Sequence, residues 1–152
     1  APISSWIMGM HMESLGVRME RHCANALAVA RWLDADSRIS WVSYPGLEGD
    51  KYHALAEKYM PNGTCGVISF GVPGGREKVS AFLDHLKMVS IATHVADARS
   101  CTLYPAGTTH RQLTDEQLEE AGVGIDLVRL SCGIENAADI IADLDQALAS
   151  IQ

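Results

Sequence analysis

Segments with helical periodicity alternate along this chain with segments that have strand periodicity, and glycine and proline turns separate them. Apolar residues recur at three- or four-residue spacing through residues 4–35, at Leu15, Met19, Ala26, Ala30 and Leu33. This pattern predicts one long N-terminal helix with an apolar face, bent at Gly9 or Gly16. Within it, Trp6, Ile7, Met8 and Met10 form the apolar patch that we expect to be exposed.

The rest of the chain divides into shorter elements. Strand patterns occupy residues 39–43, 65–70, 89–93, 100–104 and 127–131, and helical patterns occupy 52–60 and 77–86. The apolar, β-branched run 65–70 favours a central strand. A helix begins at the capping-box sequence Thr-Asp-Glu-Gln at 114–117, and Asn136 caps a final one. This alternation predicts the α/β class in one domain, without repeats or linkers.

Composition excludes several classes of function. The chain has 152 residues, 47% of them hydrophobic, and a net charge of -7 without a basic patch, so nucleic acid is not an expected partner. No apolar run approaches the roughly 18 residues of a membrane span, and we expect a soluble, cytoplasmic protein. Four cysteines without a C-x-x-C pair and histidines without ligand spacing predict reduced thiols and no metal site.

Arg129 is the most informative single residue. Strand alternation places Leu127, Arg129 and Ser131 on one face and Val128, Leu130 and Cys132 on the other. A guanidinium in an apolar strand needs an anionic partner, because burying it unpaired is costly. Its planar fork matches a carboxylate. The residues alone leave two alternatives, an internal ion pair with Asp or Glu and the binding of a ligand.

Several motifs resemble those of the cystathionine γ-synthase family of pyridoxal-phosphate enzymes, which act in sulfur amino-acid metabolism. The main one is Gly-Val-Gly-Ile-Asp-Leu-Val-Arg-Leu-Ser-Cys-Gly-Ile-Glu at 122–135. Others are Arg-Met-Glu-Arg-His-Cys-Ala-Asn-Ala at 18–26, Tyr-Pro-Gly at 44–46, Tyr-His-Ala-Leu-Ala at 52–56 and Gly-Gly at 74–75. Residues 18–22, 59–63 and 97–112 are similar to the O-acetylhomoserine sulfhydrylase branch. The resemblance spans nearly the whole chain.

The resemblance implies three substrate-binding residues. Arg129 would bind the substrate α-carboxylate, Thr109 would lie close to that arginine, and His94 would occupy a second position beside the carboxylate, where the family usually has serine or asparagine. Other departures are Ala96 for a glycine, Tyr104 for a histidine and Gly107 for a serine. A surface or merely hydrogen-bonded side chain remains the alternative for His94.

The resemblance also implies a small C-terminal domain of a fold-type I enzyme, with a mixed, largely antiparallel sheet and helices on one face. Residues 1–35 would be a linking helix and 36–152 the α/β body. The four lysines lie outside any motif like the family's Ser-x-Thr-Lys. We therefore expect the cofactor, pyridoxal phosphate, to be held by a preceding N-terminal catalytic domain. This chain alone would lack catalytic and cofactor-binding residues, and activity.

The intact protein would be a homo-oligomeric transferase of methionine biosynthesis. It would replace the γ-acetoxy group of O-acetylhomoserine with sulfide. Two alternatives remain open. One is a γ-lyase of the same family that cleaves cystathionine or methionine, because the carboxylate anchor is common to both reactions. The other is a free-standing, non-catalytic binding module.

Overall fold

The computed structural model describes residues 1–151, and a five-stranded sheet forms its centre. The strands are β1 (Trp41–Ser43), β2 (Val67–Gly71), β3 (Ser90–Ile91), β4 (Cys101–Leu103) and β5 (Leu127–Ser131). Their order across the sheet is β1-β2-β5-β4-β3, and only β3 and β4 pair in parallel. The predicted mixed, largely antiparallel sheet is confirmed, as is the interior position of β2.

Residues 1–151 also form six α-helices. They are α1 (Pro2–Glu13), α2 (Leu15–Ala35), α3 (His53–Tyr59), α4 (Gly75–Asp84), α5 (Asp115–Glu120) and α6 (Ala137–Ala149). Thr114 and Gln117 form the predicted capping box of α5, and the Asn136 side chain accepts the Ala138 N–H at the start of α6. Local polar chemistry therefore fixes where these two helices begin.

The helices α2, α4 and α6 cover one face of the sheet. Apolar residues of all three are buried against β2 and β5, and these are Ala26, Val29, Ala30 and Leu33 of α2, Val79 and Phe82 of α4, and Ile140, Leu144 and Leu148 of α6. The rings of Phe70 and Phe82 meet edge to face with centroids 6.2 Å apart. One layer of helices therefore packs on one layer of sheet, as expected.

The long N-terminal helical segment that the periodicity predicts is confirmed, but it is interrupted at one residue, which divides it into α1 and α2. The break falls at Ser14, between Gly9 and Gly16, and both glycines lie inside helices. Arg18 explains why the break is tolerated: its Nη2 donates to the His11 carbonyl at 2.7 Å and its Nε to Ser14 Oγ at 3.2 Å. The side chain thus supplies a donor to a carbonyl at the end of α1.

Helix α1 is exposed to solvent on every side. None of its residues is buried, and the side chains of Trp6, Ile7, Met8 and Met10 are exposed, Trp6 by 61%. A helix that is apolar around its circumference is normally covered by another part of a protein. The exposed apolar patch predicted from the sequence is therefore present.

A buried carboxylate ties α6 to the segment before β3. Asp143 is 6% exposed, and its oxygens accept the backbone N–H groups of Lys87, Met88 and Val89 at 2.8 to 2.9 Å. Burial raises the pKa of this carboxyl, but the three backbone donors and Gln146 outweigh burial, so the pKa lies below its usual value. The charged form is therefore part of the folded structure.

Two further findings concern residues 1–151 as a whole. No helix combines the length and the apolar character that a membrane crossing requires. Nor do three or more His, Cys, Asp or Glu side chains converge there in a geometry suited to a metal ion.

Candidate functional site

Strand β5 carries the candidate site on the face that the helices leave uncovered. Val128, Leu130 and Cys132 are buried under the helices, whereas Leu127 and Arg129 are only half-buried. Burial therefore alternates as predicted from Leu127 to Leu130, but Ser131, on the face of Arg129, is also buried, and its hydroxyl accepts the Ala96 N–H. The register places Ser69 of β2 and Leu103 of β4 on either side of Arg129.

Within residues 1–151 the Arg129 guanidinium has one hydrogen bond, from Nη2 to the carbonyl oxygen of Thr93 at 3.0 Å. The ion pairs formed within residues 1–151 join other side chains, so the internal salt bridge considered from the sequence is wrong for this part of the protein. A guanidinium has five N–H donors. Arg129 therefore keeps donors available for an acceptor that the described chain does not provide.

His94 follows the residue whose carbonyl binds Arg129. Its side chain is exposed in the loop 92–100, between β3 and β4. Ala96 in the same loop has φ +56°, and its N–H donates to Ser131 Oγ at 3.1 Å. Alanine in this left-handed conformation costs about 1 kcal/mol, which is consistent with glycine in the resembling family. The structure thus brings the carbonyl of the preceding residue, Thr93, to Arg129, and within residues 1–151 no hydrogen bond joins the His94 side chain to the guanidinium.

Thr109 lies just after a single 3-10 turn, Pro105–Gly107, which packs beside β5. Its side chain is exposed, and its hydroxyl hydrogen-bonds the neighbouring His110 Nδ1 at 2.9 Å. The structure places Thr109 on the segment that flanks β5. A contact between Thr109 and Arg129 stays a prediction.

Two departures from the family pattern, Tyr104 and Gly107, accompany one another. The Tyr104 ring is 3% exposed, and its hydroxyl donates to the Ile125 carbonyl at 2.8 Å. A Cβ atom added to Gly107 would lie 2.5 Å from Cδ1 of that ring. The tyrosine therefore occupies the space that a serine at position 107 would need, which explains why glycine stands there.

A separate cleft of about 440 Å³ opens between α5 and the start of β5. Three carboxylates line it, Asp115, Glu119 and Asp126. Asp115 pairs with Arg76, and Asp126 accepts hydrogen bonds from Ser40 and Trp41. Two of the three carboxylates therefore have structural partners, and the lining residues of the cleft do not include Arg129, His94 or Thr109.

Sequence reasoning missed the polar network beyond the end of β5. Glu135, the last residue of the 122–135 motif, accepts hydrogen bonds from the backbone N–H and the hydroxyl of Ser100 at 2.6 and 3.0 Å. Glu135 directly precedes the cap of α6, where a negative charge is favourable beside the helix N-terminus. In the sequence, this position alone is enough to explain a glutamate. The spacing gave no signal that pointed to a partner 35 residues earlier.

The lysines of the chain do not fit a pyridoxal-phosphate site. All four, Lys51, Lys58, Lys78 and Lys87, are exposed. Lys51 and Lys58 rest over tyrosine rings, with Nζ 4.8 and 5.0 Å from the ring centroids. A lysine that forms a Schiff base is activated by removal from water or by a nearby cation.

Comparisons with known proteins agree with this picture. Residues 1–149 match the family model described as "Cys/Met metabolism PLP-dependent enzyme". The chain is 44% identical to an O-acetyl-L-homoserine sulfhydrylase of Leptospira meyeri and 46% identical to a homocysteine synthase of Schizosaccharomyces pombe. These alignments cover 99% and 97% of this chain but 34% of each relative.

A solved structure from Campylobacter jejuni has the same fold over this region. It is a candidate O-acetylhomoserine (thiol)-lyase that carries a pyridoxyl-lysine monophosphate, and it superposes with a TM-score of 0.90 at 38% identity. The match covers 98% of this chain and 35% of that one. The chain thus spans about a third of the length of the relatives that it matches. It belongs to the Cys/Met metabolism family of pyridoxal-phosphate-dependent enzymes.

Proposed function

We propose that this chain is the substrate-carboxylate-binding domain of a pyridoxal-phosphate-dependent enzyme that makes homocysteine from O-acetylhomoserine and sulfide. The observation that carries the proposal is Arg129, a half-buried guanidinium on the uncovered sheet face whose one hydrogen bond goes to a neutral carbonyl. A carboxylate can accept two of the remaining donors in two parallel bonds. Relatives named O-acetyl-L-homoserine sulfhydrylase and homocysteine synthase support the choice of substrate.

The domain orients the substrate and leaves the bond-making chemistry to another part of the protein. Arg129 binds the α-carboxylate, with the His94 loop and Thr109 beside it, so that the γ-carbon is held at a fixed place. Such orientation can contribute several kcal/mol to lowering a barrier. Pyridoxal phosphate, when bound by a lysine-bearing domain, supplies the electron sink.

The proposal includes the arrangement of the whole protein. Residues 1–35 link a lysine-bearing N-terminal domain to the α/β body 36–152, and the bare helix α1 is covered in that larger protein. The intact enzyme works in the cytoplasm as a homo-oligomer. Reading the gene upstream of Ala1 tests this directly, because a frame without a lysine-bearing domain would favour the non-catalytic binding module.

An assay of the longer polypeptide separates the proposed reaction from that of a γ-lyase. With O-acetylhomoserine and sulfide we expect homocysteine and acetate, each quantified by mass spectrometry. With methionine or cystathionine alone we expect turnover at least about tenfold slower, because a leaving group is discriminated by its own contacts and not by the carboxylate anchor. Cleavage of methionine or cystathionine that is faster than homocysteine formation would show that the protein is a γ-lyase and not the proposed transferase.

The chain by itself is expected to form no specific adduct with pyridoxal phosphate, because its four lysines are exposed and are not activated by removal from water. Residues 1–152 would be incubated with the cofactor, reduced with borohydride and weighed intact. The expected spectrum shows only scattered, substoichiometric labelling that is equal at the four lysines. A single stoichiometric adduct on one lysine would contradict the assignment of the cofactor site to another domain.

A further inference from the structure

The carboxylate of Glu135 anchors one end of the loop that reaches Arg129. Its Oε1 accepts the Ser100 N–H and its Oε2 the Ser100 hydroxyl, and Ser100 Oγ in turn accepts the Gly133 N–H at 2.9 Å. Ser100 is fully buried. Loss of the carboxylate would therefore strand a buried backbone donor and a buried hydroxyl, which is costly.

The backbone around this anchor is closely packed. A Cβ atom at Gly133 would overlap the Ala98 carbonyl oxygen and the Glu135 carboxylate. The Ile134 N–H donates to that same Ala98 carbonyl at 3.0 Å. Residues 133–135, which follow β5, and the loop 92–100 therefore touch through backbone atoms. A shift of one segment moves the other.

The opposite end of the loop is the Thr93 carbonyl that holds the Arg129 guanidinium. Between the two ends, Ala96 is bound to Ser131 Oγ. Most side chains of residues 94–99 are exposed, so hydrogen bonds rather than an apolar core hold this segment. Two of these bonds join Ala96 and Ala98 to Ser131 and Ile134. Another lies within the loop, from the Arg99 N–H to Asp97.

We propose that Glu135 is a positioning residue for Arg129. By holding Ser100 it fixes the loop 93–100, and the loop in turn presents the Thr93 carbonyl that orients the guanidinium toward the substrate. The inference rests on the proposed role of Arg129 and extends it to a residue that lies outside the binding face. Loosening of the loop lets the guanidinium swing, so binding of the amino acid suffers first.

The kinetic test compares Glu135→Ala with Glu135→Gln in the longer polypeptide. The amide oxygen of glutamine can still accept the Ser100 N–H, although its NH2 group cannot accept the Ser100 hydroxyl, so this variant should keep KM close to that of the wild type. In Glu135→Ala we expect KM for O-acetylhomoserine to rise about tenfold, with a smaller change in kcat. Thr114→Ala, which removes the cap of α5 before the start of β5, is the control for general destabilisation and should leave KM unchanged.

Hydrogen exchange measured on the same preparations tests the positioning independently of activity. In Glu135→Ala, peptides covering 93–100 should exchange about tenfold faster or more, while Glu135→Gln and Thr114→Ala leave them unchanged. Ser131→Ala, which removes only the acceptor of the Ala96 N–H, replaces Glu135→Ala if that variant does not fold, and should speed exchange in the same peptides.

The two readouts separate the failures. Unchanged exchange at 93–100, or equal KM in the alanine variant and the wild type, overturns the role of Glu135. A different result is faster exchange in Glu135→Ala together with full kcat/KM in an Arg129 variant. Glu135 would then still anchor the loop, but Arg129 would not bind the substrate carboxylate. Both the proposed role of Arg129 and the positioning role of Glu135 in the reaction would be rejected.

Discussion

Replacement of Arg129 by alanine is expected to lower kcat/KM for O-acetylhomoserine by about 100-fold to 1000-fold in the longer polypeptide, the equivalent of one bidentate, charge-assisted pair. Arg129→Lys keeps the charge but loses the planar fork, and it should recover only a small part of the loss. Steady-state kinetics at several substrate concentrations would show the loss mainly in KM if the ground state already uses the contact.

The matched control for this experiment is Arg31→Ala, which removes the same charge from an exposed position on α2. Thermal unfolding should show Arg129→Ala to be destabilised by less than about 1 kcal/mol, because the side chain has one hydrogen bond in the described chain. Full activity in Arg129→Ala would reject the carboxylate-binding role. A large loss of stability would instead mean that the residue is structural.

Replacement of Asp143 by asparagine is expected to lower the free energy of unfolding by about 2 to 3 kcal/mol at neutral pH, since a charged acceptor of three backbone N–H groups becomes a neutral one with a donor of its own. For a chain of this size, the midpoint of thermal unfolding should fall by about 5 to 10 °C. Asp34→Asn, at an exposed position on α2, is the control and should change the midpoint little.

The effect of Asp143 depends on pH with a definite sign. The pKa of Asp143 is lower in the folded state than in the unfolded state, where it is about 3.9. The stabilisation from the charged carboxylate is therefore complete above the unfolded-state pKa and is lost as the pH falls through the folded-state pKa. The wild type and Asp143→Asn should therefore converge in stability below about pH 4. A difference that stays constant from pH 7 into that range would contradict the assigned role of the charge.

Local patterns were sufficient to predict much of the fold. Alternation predicted the burial of the β5 side chains from Leu127 to Leu130 but not that of Ser131. Capping chemistry predicted the starts of α5 and α6. The break at Ser14 was not predicted, because it depends on the Arg18 side chain reaching back to His11. The parallel pairing of β3 with β4 was also beyond the sequence, since it involves two-residue contacts that have no periodicity.

The candidate site shows the same division. Arg129 stood out because a guanidinium contrasts with its apolar strand, whereas the Thr93 carbonyl that orients it is a backbone atom and leaves no mark in the sequence. Asp143 did carry a signal that the sequence analysis did not use. It lies three residues after Ile140 and one before Leu144, on the buried face of α6, where a carboxylate needs donors.

The strand order has a consequence for how the chain acquires its structure. The central pair joins residues 67–71 to 127–131. The sequential antiparallel pairs, β1 with β2 and β4 with β5, are joined by long connections that contain α3 and α5 and not by short hairpin turns. Contacts of such sequence separation are slow to close. During synthesis β2 and β4 therefore each keep an unpaired edge until β5 has left the ribosome. A polypeptide that ends before residue 127 would lack the strand that joins the two halves of the sheet.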